Sequence, residues 1–88
     1  MLRETAILAN KHGLHARPAA EFVKLAGRFE ADVKLTKDEI TVDGKSIMGV
    51  MMLAAERGSR VTITTDGADE HEALKALRAF LETDHVED

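Results

Sequence analysis

Apolar and polar residues alternate in four stretches of this chain and recur at helical spacing in three others. RETAIL (residues 3–8) reads as a first strand, and alternation alone leaves open which of Ala6, Ile7 and Leu8 turn inward. NKHG breaks it. From Pro18 to Ala26 the apolar residues Ala19, Phe22, Val23 and Ala26 lie on one helical face, with Gly27 as the stop. Val33 and Leu35 in DVKLTK, then Ile40 and Val42 in EITV, alternate about a short link at Lys37 to Glu39, the pattern of a hairpin.

A turn at DGK leads to Ser46 and the dense stretch IMGVMMLAA, a short helix of about two turns. Arg60 to Thr65 alternates through Val61 and Ile63 and ends at DG, which predicts a fourth strand. Asp69 then caps a last helix, with Glu72 three residues on in a capping-box arrangement. Ala73, Leu74, Leu77, Phe80 and Leu81 form that helix's core stripe. The tail TDHVED is expected to fray. The order is β-α-β-β-α-β-α in a single α+β domain spanning residues 1–88, with one mostly antiparallel sheet covered by helices on one side.

Composition narrows the functional classes. With 44% hydrophobic and 32% charged residues the chain is an ordinary globule. It has no cysteine, which excludes disulfides, thiolate zinc sites and thiol catalysis. MLRETAILAN lacks a signal peptide's apolar region and no apolar run could span a bilayer, so a cytoplasmic protein without membrane insertion is expected. A net charge of -4 and 3% aromatic residues argue against nucleic acid as a partner. The charge is uneven, however. Residues 1–30 carry five Lys/Arg against three Asp/Glu, whereas residues 66–88 carry two against eight.

The basic end contains GLHARPAAEF (residues 13–22). Proline disfavours helical backbone in the residue before it, which places Arg17 near the N-cap and Pro18 near the first helical position, with His15 just ahead. The backbone N–H groups around Ala16 and Arg17 would then lack intrahelical partners and form an anion site with the helix dipole. A phosphate held there would also meet the Arg17 guanidinium, which can engage two of its oxygens. A neutral imidazole is a good nucleophile, so nucleophile and product site coincide at His15. The plain alternative is a surface histidine in a strand-to-helix loop with an arginine on solvent.

GLHARPAAEFV resembles the active-site segment of the HPr family, the histidine-containing phosphocarriers of the bacterial phosphotransferase system. KSIMGVMML, at the matching distance downstream, resembles the family's second motif. The likeness covers essentially the whole chain. It implies an open-faced β-sandwich, a four-stranded antiparallel sheet in strand order 1-4-2-3 with three helices on one face. It further implies that His15 accepts a phosphoryl group on Nδ1 from phosphorylated enzyme I, that Arg17 contacts this group, and that sugar-specific enzyme IIA components receive it. On this reading the protein is a monomeric carrier, a substrate of enzymes and not a turnover catalyst, with neither cofactor nor metal.

Ser46 is first of all a helix N-cap. The resemblance adds that KSIMGVM is the version phosphorylated on this serine by an HPr kinase/phosphorylase, with a catabolite-control transcription factor as a further partner. Of Ile47, Met48, Met51 and Met52, two or three are expected in the core on composition alone. Family analogy instead exposes Ile47, Met48 and Met51 as a docking face, with Ala16, Ala20 and Lys24 contributing from the first helix; Lys24 could equally be a solvated helix residue. One departure from the family is His12, where a small polar residue is commoner; its role stays open between a solvated turn residue and a metal ligand with His15, the latter disfavoured for want of a third ligand. Two other functional classes compete: an HPr-like regulatory binding module controlled by Ser46 phosphorylation without a transport role, and a small interaction domain with no phosphotransfer.

Overall fold

The computed structural model describes residues 1–84. Its elements are β1 (Leu2–Ile7), α1 (Ala16–Ala26), β2 (Asp32–Lys37), β3 (Ile40–Asp43), α2 (Ile47–Met52), β4 (Arg60–Asp66) and α3 (Glu70–Leu81). All strand pairs are antiparallel and the sheet runs β1-β4-β2-β3, so the last strand in sequence lies between the first two. Ala6 sits opposite Val61, and Ile63 lies between Glu4 and Leu35.

Period-two alternation turns Val33, Leu35, Val61, Ile63 and Thr65 to one face, where they are buried. Against them lie Ala19, Phe22 and Ala26 of α1, Val50 of α2 and Leu74, Leu77 and Leu81 of α3. The other face is open and hydroxyl-rich: Thr5 pairs with Thr62 and Thr36 with Thr41, each at 2.9 Å. An α+β open-faced sandwich with three helices on one side results. The ambiguity in β1 is also resolved. Ala6 and Leu8 are buried and Ile7 is 45% exposed, because Leu8 continues β1's inward face while its backbone bonds to the Gly58–Ser59 turn. Phe80 of the predicted α3 stripe is only half-buried and meets Phe22 edge-to-face at 5.9 Å.

One sequence expectation fails because long-range donors win over local ones. Asp69 begins α3 but does not cap it with its side chain, and no capping box with Glu72 forms. Its carboxylate instead accepts the backbone N–H groups of Glu30 (2.9 Å) and Ala31 (2.8 Å), fastening the turn after α1 to the start of α3. Glu70, not Glu72, reaches back, accepting from the Gly67 N–H at 3.0 Å. The expected fraying concerns the tail from Thr83 onward. Thr83 Oγ1 donates to the Ala79 carbonyl at 2.7 Å and Asp84 accepts the Lys11 N–H at 2.9 Å; the remainder of that expectation, at 85–88, lies outside the described residues.

The Glu30 N–H holds the Asp69 carboxyl below the usual carboxylate range, and the Gly67 N–H does the same for Glu70. Groups whose folded values are depressed stabilise the protein above their unfolded values and lose that contribution as pH falls through the folded ones. Thermal melts should therefore respond little to these two groups from about pH 8 to 5 and show a falling midpoint below about pH 4. Asp69→Asn, which does not titrate, should melt lower at neutral pH and lose less on acidification. Parallel pH curves for the two proteins would contradict the assignment.

Candidate functional site

The loop between β1 and α1 is held from several sides. The Ala9 N–H bonds to the Leu81 carbonyl and the Leu14 N–H to the Ala55 carbonyl, each at 2.9 Å. Buried Asn10 closes the turn twice, its carbonyl accepting the Gly13 N–H and its Nδ2 donating to the Gly13 carbonyl, both at 3.0 Å. Gly13 has φ +72°, and a Cβ there would stand 2.3 Å from the Ala55 carbonyl oxygen. Only glycine lets the two loops meet this closely. His15 follows this anchored turn directly.

α1 begins two residues before the position expected from Pro18. His15 is the N-cap, with extended backbone and no side-chain cap bond, and its carbonyl accepts the Ala19 N–H at 2.9 Å. Ala16, Arg17 and Pro18 therefore fill the first, second and third helical positions. Proline is tolerated at the third position because within the first turn its missing N–H costs nothing, and the carbonyl four residues back, of Leu14, lies outside the helix. Proline at the third position has no N–H, so Ala16 and Arg17 carry the N–H groups of the first helical turn that have no intrahelical partner. No acidic residue in the first turn offsets their partial positive charge. His15, Ala16 and Arg17 are all exposed.

The His12 ring stands 5.7 Å from that of His15, centre to centre, at 77°. Both line an open depression of ≈ 260 Å³ with Leu14, Met51, Ala54, Ala55 and Glu56. A larger hollow, ≈ 520 Å³, lies between β1 and α3, where Arg78 is paired with Glu4 and Glu82, and none of the predicted site residues lines it. Among the described residues no group of three or more His, Cys, Asp or Glu side chains is placed to hold a metal ion.

Ser46 caps α2 as its sequence position suggests, Oγ accepting the Gly49 N–H at 3.1 Å. The expectation that two or three of Ile47, Met48, Met51 and Met52 are core residues is wrong. All four are exposed, Met48 by 74%. Six residues present one narrow inward face, and Val50, with Leu53 just past the helix, fills it; Gly49 lies against β3 near the Asp43 carbonyl. The exposure that family analogy gives Ile47, Met48 and Met51 is what the structure shows. α1 packs beside α2, with Ala16 and Lys24 exposed and Ala20 half-buried. Met51 shares the depression with His15, whereas Ser46 lies at the other end of α2, about 8 Å away along the axis.

Sequence reading missed Glu56 and Ala54 at the rim of the depression. Ala54 has φ +50°, and nothing in its neighbourhood in sequence signals this. The left-handed region costs a residue with a Cβ roughly 1–2 kcal/mol, of which glycine's greater freedom in the unfolded chain returns a part. Ala54→Gly should therefore stabilise by up to about 1 kcal/mol and raise the melting midpoint by roughly 2–6 °C. An unchanged or lower midpoint would mean that Ala54 stores no strain.

Residues 2–83 match the family model described as PTS HPr component phosphorylation site. A phosphocarrier protein HPr from Cupriavidus necator is 53% identical over 81 residues, which cover 92% of this chain and 91% of the relative. The HPr-like protein Crh of Bacillus subtilis is 48% identical over 82 residues, 93% of this chain and 96% of that protein. The crystal structure of a phosphocarrier protein HPr from Bacillus anthracis superposes with a TM-score of 0.89 at 51% identity, covering 91% of this chain and 95% of the other.

Proposed function

This chain belongs to the HPr family of the phosphotransferase system, and on that premise we propose that it is a phosphoryl carrier in which His15 takes a phosphoryl group from phosphorylated enzyme I and passes it to enzyme IIA components. A neutral ring nitrogen of His15 attacks the phosphorus; the donor's phosphorus–nitrogen bond breaks as the new one forms. The Ala16 and Arg17 N–H groups and the Arg17 guanidinium face the charge that arrives. The cargo stays at the surface, as a group to be handed onward must. The observation that carries this reading is an exposed histidine serving as N-cap of α1 without a side-chain cap bond, beside the first-turn N–H groups of Ala16 and Arg17, which a helix start leaves without intrahelical partners.

Ile47, Met48 and Met51, with Ala16, Ala20 and Lys24, form the docking surface for donor and acceptors, methionine adapting to partners of different shape. A phosphate on Ser46, placed by an HPr kinase/phosphorylase, adds about two negative charges at the start of α2, which the helix end tolerates and an apolar partner does not. The protein acts in the cytoplasm as a single-domain monomer. A swapped dimer is described for the Crh protein of Bacillus subtilis.

A second reading has a specific basis, the 48% identity to Crh: a regulatory module whose output is docking to a transcription factor under control of Ser46. The two separate on incubation with labelled phosphoenolpyruvate and enzyme I, or with labelled ATP and the kinase. Acid-labile, base-stable label from the first mixture supports the carrier. Acid-stable label from the second mixture alone supports the regulator and overturns the carrier.

A further inference from the structure

We infer that the three methionines of α2, Met48, Met51 and Met52, are an oxidation site that switches docking off: their sulfoxides leave the fold intact and turn partners away. The inference rests on the reading of this face as the docking surface. Methionine supplies all the sulfur of the chain, which has no Cys, and there is no Trp or Tyr either. With no thiol present to react first, the exposed thioethers are the groups that an oxidant meets. Three of the four methionines stand on one short helix. Met48 and Met52 are exposed by 74% and 68%, and Met51 by 41%.

Spacing makes the three a unit. Met48 lies three residues from Met51 and four from Met52, so their side chains are neighbours on the helix surface, and Ile47 lies one turn before Met51. Met51 also lines the depression that holds His15. The inward side of α2 is built without sulfur. Val50 and, just past the helix, Leu53 enter the core, and Gly49 lies against β3. Oxidation of α2 therefore changes the face turned to partners and spares the one turned to the core. Met1, the fourth methionine, is exposed too, but its amino group is held by Asp66 and Glu70 at the end of β1 opposite the His15 loop. It serves as an internal control.

With hydrogen peroxide as the oxidant the step balances. A sulfur lone pair attacks one peroxide oxygen and the O–O bond breaks. The other oxygen takes the proton and leaves as water; the sulfur is oxidised by two electrons and the peroxide is reduced. A polar S–O group now stands where the thioether made no strong demand for a hydrogen bond. Covering a methionine with an apolar partner favours docking, whereas covering that oxygen without a donor opposes it. In the free protein the same oxygen faces water, so folding is not penalised. Thiol-dependent reductases, one for each sulfoxide epimer, return the thioether while two thiols become a disulfide and the oxygen leaves as water, which makes the state reversible.

The test treats the protein with hydrogen peroxide, removes the oxidant, and locates the added oxygen by peptide mass spectrometry before enzyme I and phosphoenolpyruvate are supplied. Sulfoxide at all three α2 positions should raise the KM of enzyme I for this protein roughly tenfold or more, with kcat changed far less. The melting midpoint should stay within about 2 °C of the untreated value. Both methionine sulfoxide reductases together should restore the KM, which assigns the loss to sulfur and not to a histidine. A Met48→Leu/Met51→Leu/Met52→Leu variant, compared with its own untreated form, should keep its KM through the same exposure while its Met1 is oxidised. Three results each overturn the inference: α2 sulfurs that stay unmodified while Met1 is oxidised, fully oxidised protein with an unchanged KM, or a leucine variant that loses as much as the wild type. If the untreated protein takes no phosphate from enzyme I, the carrier reading falls and this inference with it.

Discussion

Replacing His15 by alanine is expected to reduce uptake of label from phosphoenolpyruvate and enzyme I to background while leaving the fold intact. On the proposed reading the His15 imidazole is itself the acceptor, beside the first-turn N–H groups of Ala16 and Arg17, so its removal deletes the acceptor rather than slowing it. Stability should barely change, because His15 is exposed and gives α1 no side-chain cap bond. His15→Asn sharpens the argument. Asparagine is among the best N-cap residues, so this variant should be more stable than the wild type by about 1 kcal/mol or less, yet carry no phosphate. Nature's choice of a poor cap is then explained by chemistry. Label retained in His15→Ala would move the acceptor elsewhere, and His12 would be the first residue to examine.

Gly13→Ala is expected to be the most damaging single-methyl change near the site, costing roughly 3–5 kcal/mol of the 5–15 kcal/mol that such a domain has. Two costs combine. The backbone at φ +72° is strained for any residue with a Cβ, and that Cβ would meet the Ala55 carbonyl oxygen at 2.3 Å and the Glu56 Cα at 3.0 Å, both backbone atoms that cannot swing away. Relief requires parting the loop from Ala55, which breaks the Leu14 N–H bond and carries His12 and His15 away from Met51 and Glu56. Gly58→Ala supplies the comparison: its φ is +88°, but nothing lies within 4 Å of the added atom. That variant should lose only the strain, about 1 kcal/mol. Urea unfolding of both, followed by circular dichroism, separates clash from strain. Equal losses would show that the close approach of the two loops contributes nothing.

Much of this site was legible before folding because its parts are local. Pro18 and the apolar spacing of Ala19, Phe22 and Ala26 announce α1, and a serine ahead of IMGVM announces the α2 cap, since a side chain and an amide three residues on meet in any helix start. The start of α1 was misjudged by two residues, because the rule about residues preceding proline is a preference that neighbouring contacts can override. Composition misled for α2, where apolar character alone does not distinguish a face turned to the core from one turned to a partner.

The order of elements, the residues that share a face within each, and the histidine at a helix start follow from the amino-acid sequence alone, for these depend on backbone periodicity and contacts a few residues apart. Packing of the elements was needed to turn Ile7 outward, to set Asp69 on amides 38 and 39 residues away, to give Ala54 its positive φ and to stand His12 beside His15. Periodicity says which side chains lie together on an element, whereas the partner each face meets is chosen when the elements pack and long-range donors outcompete nearby ones.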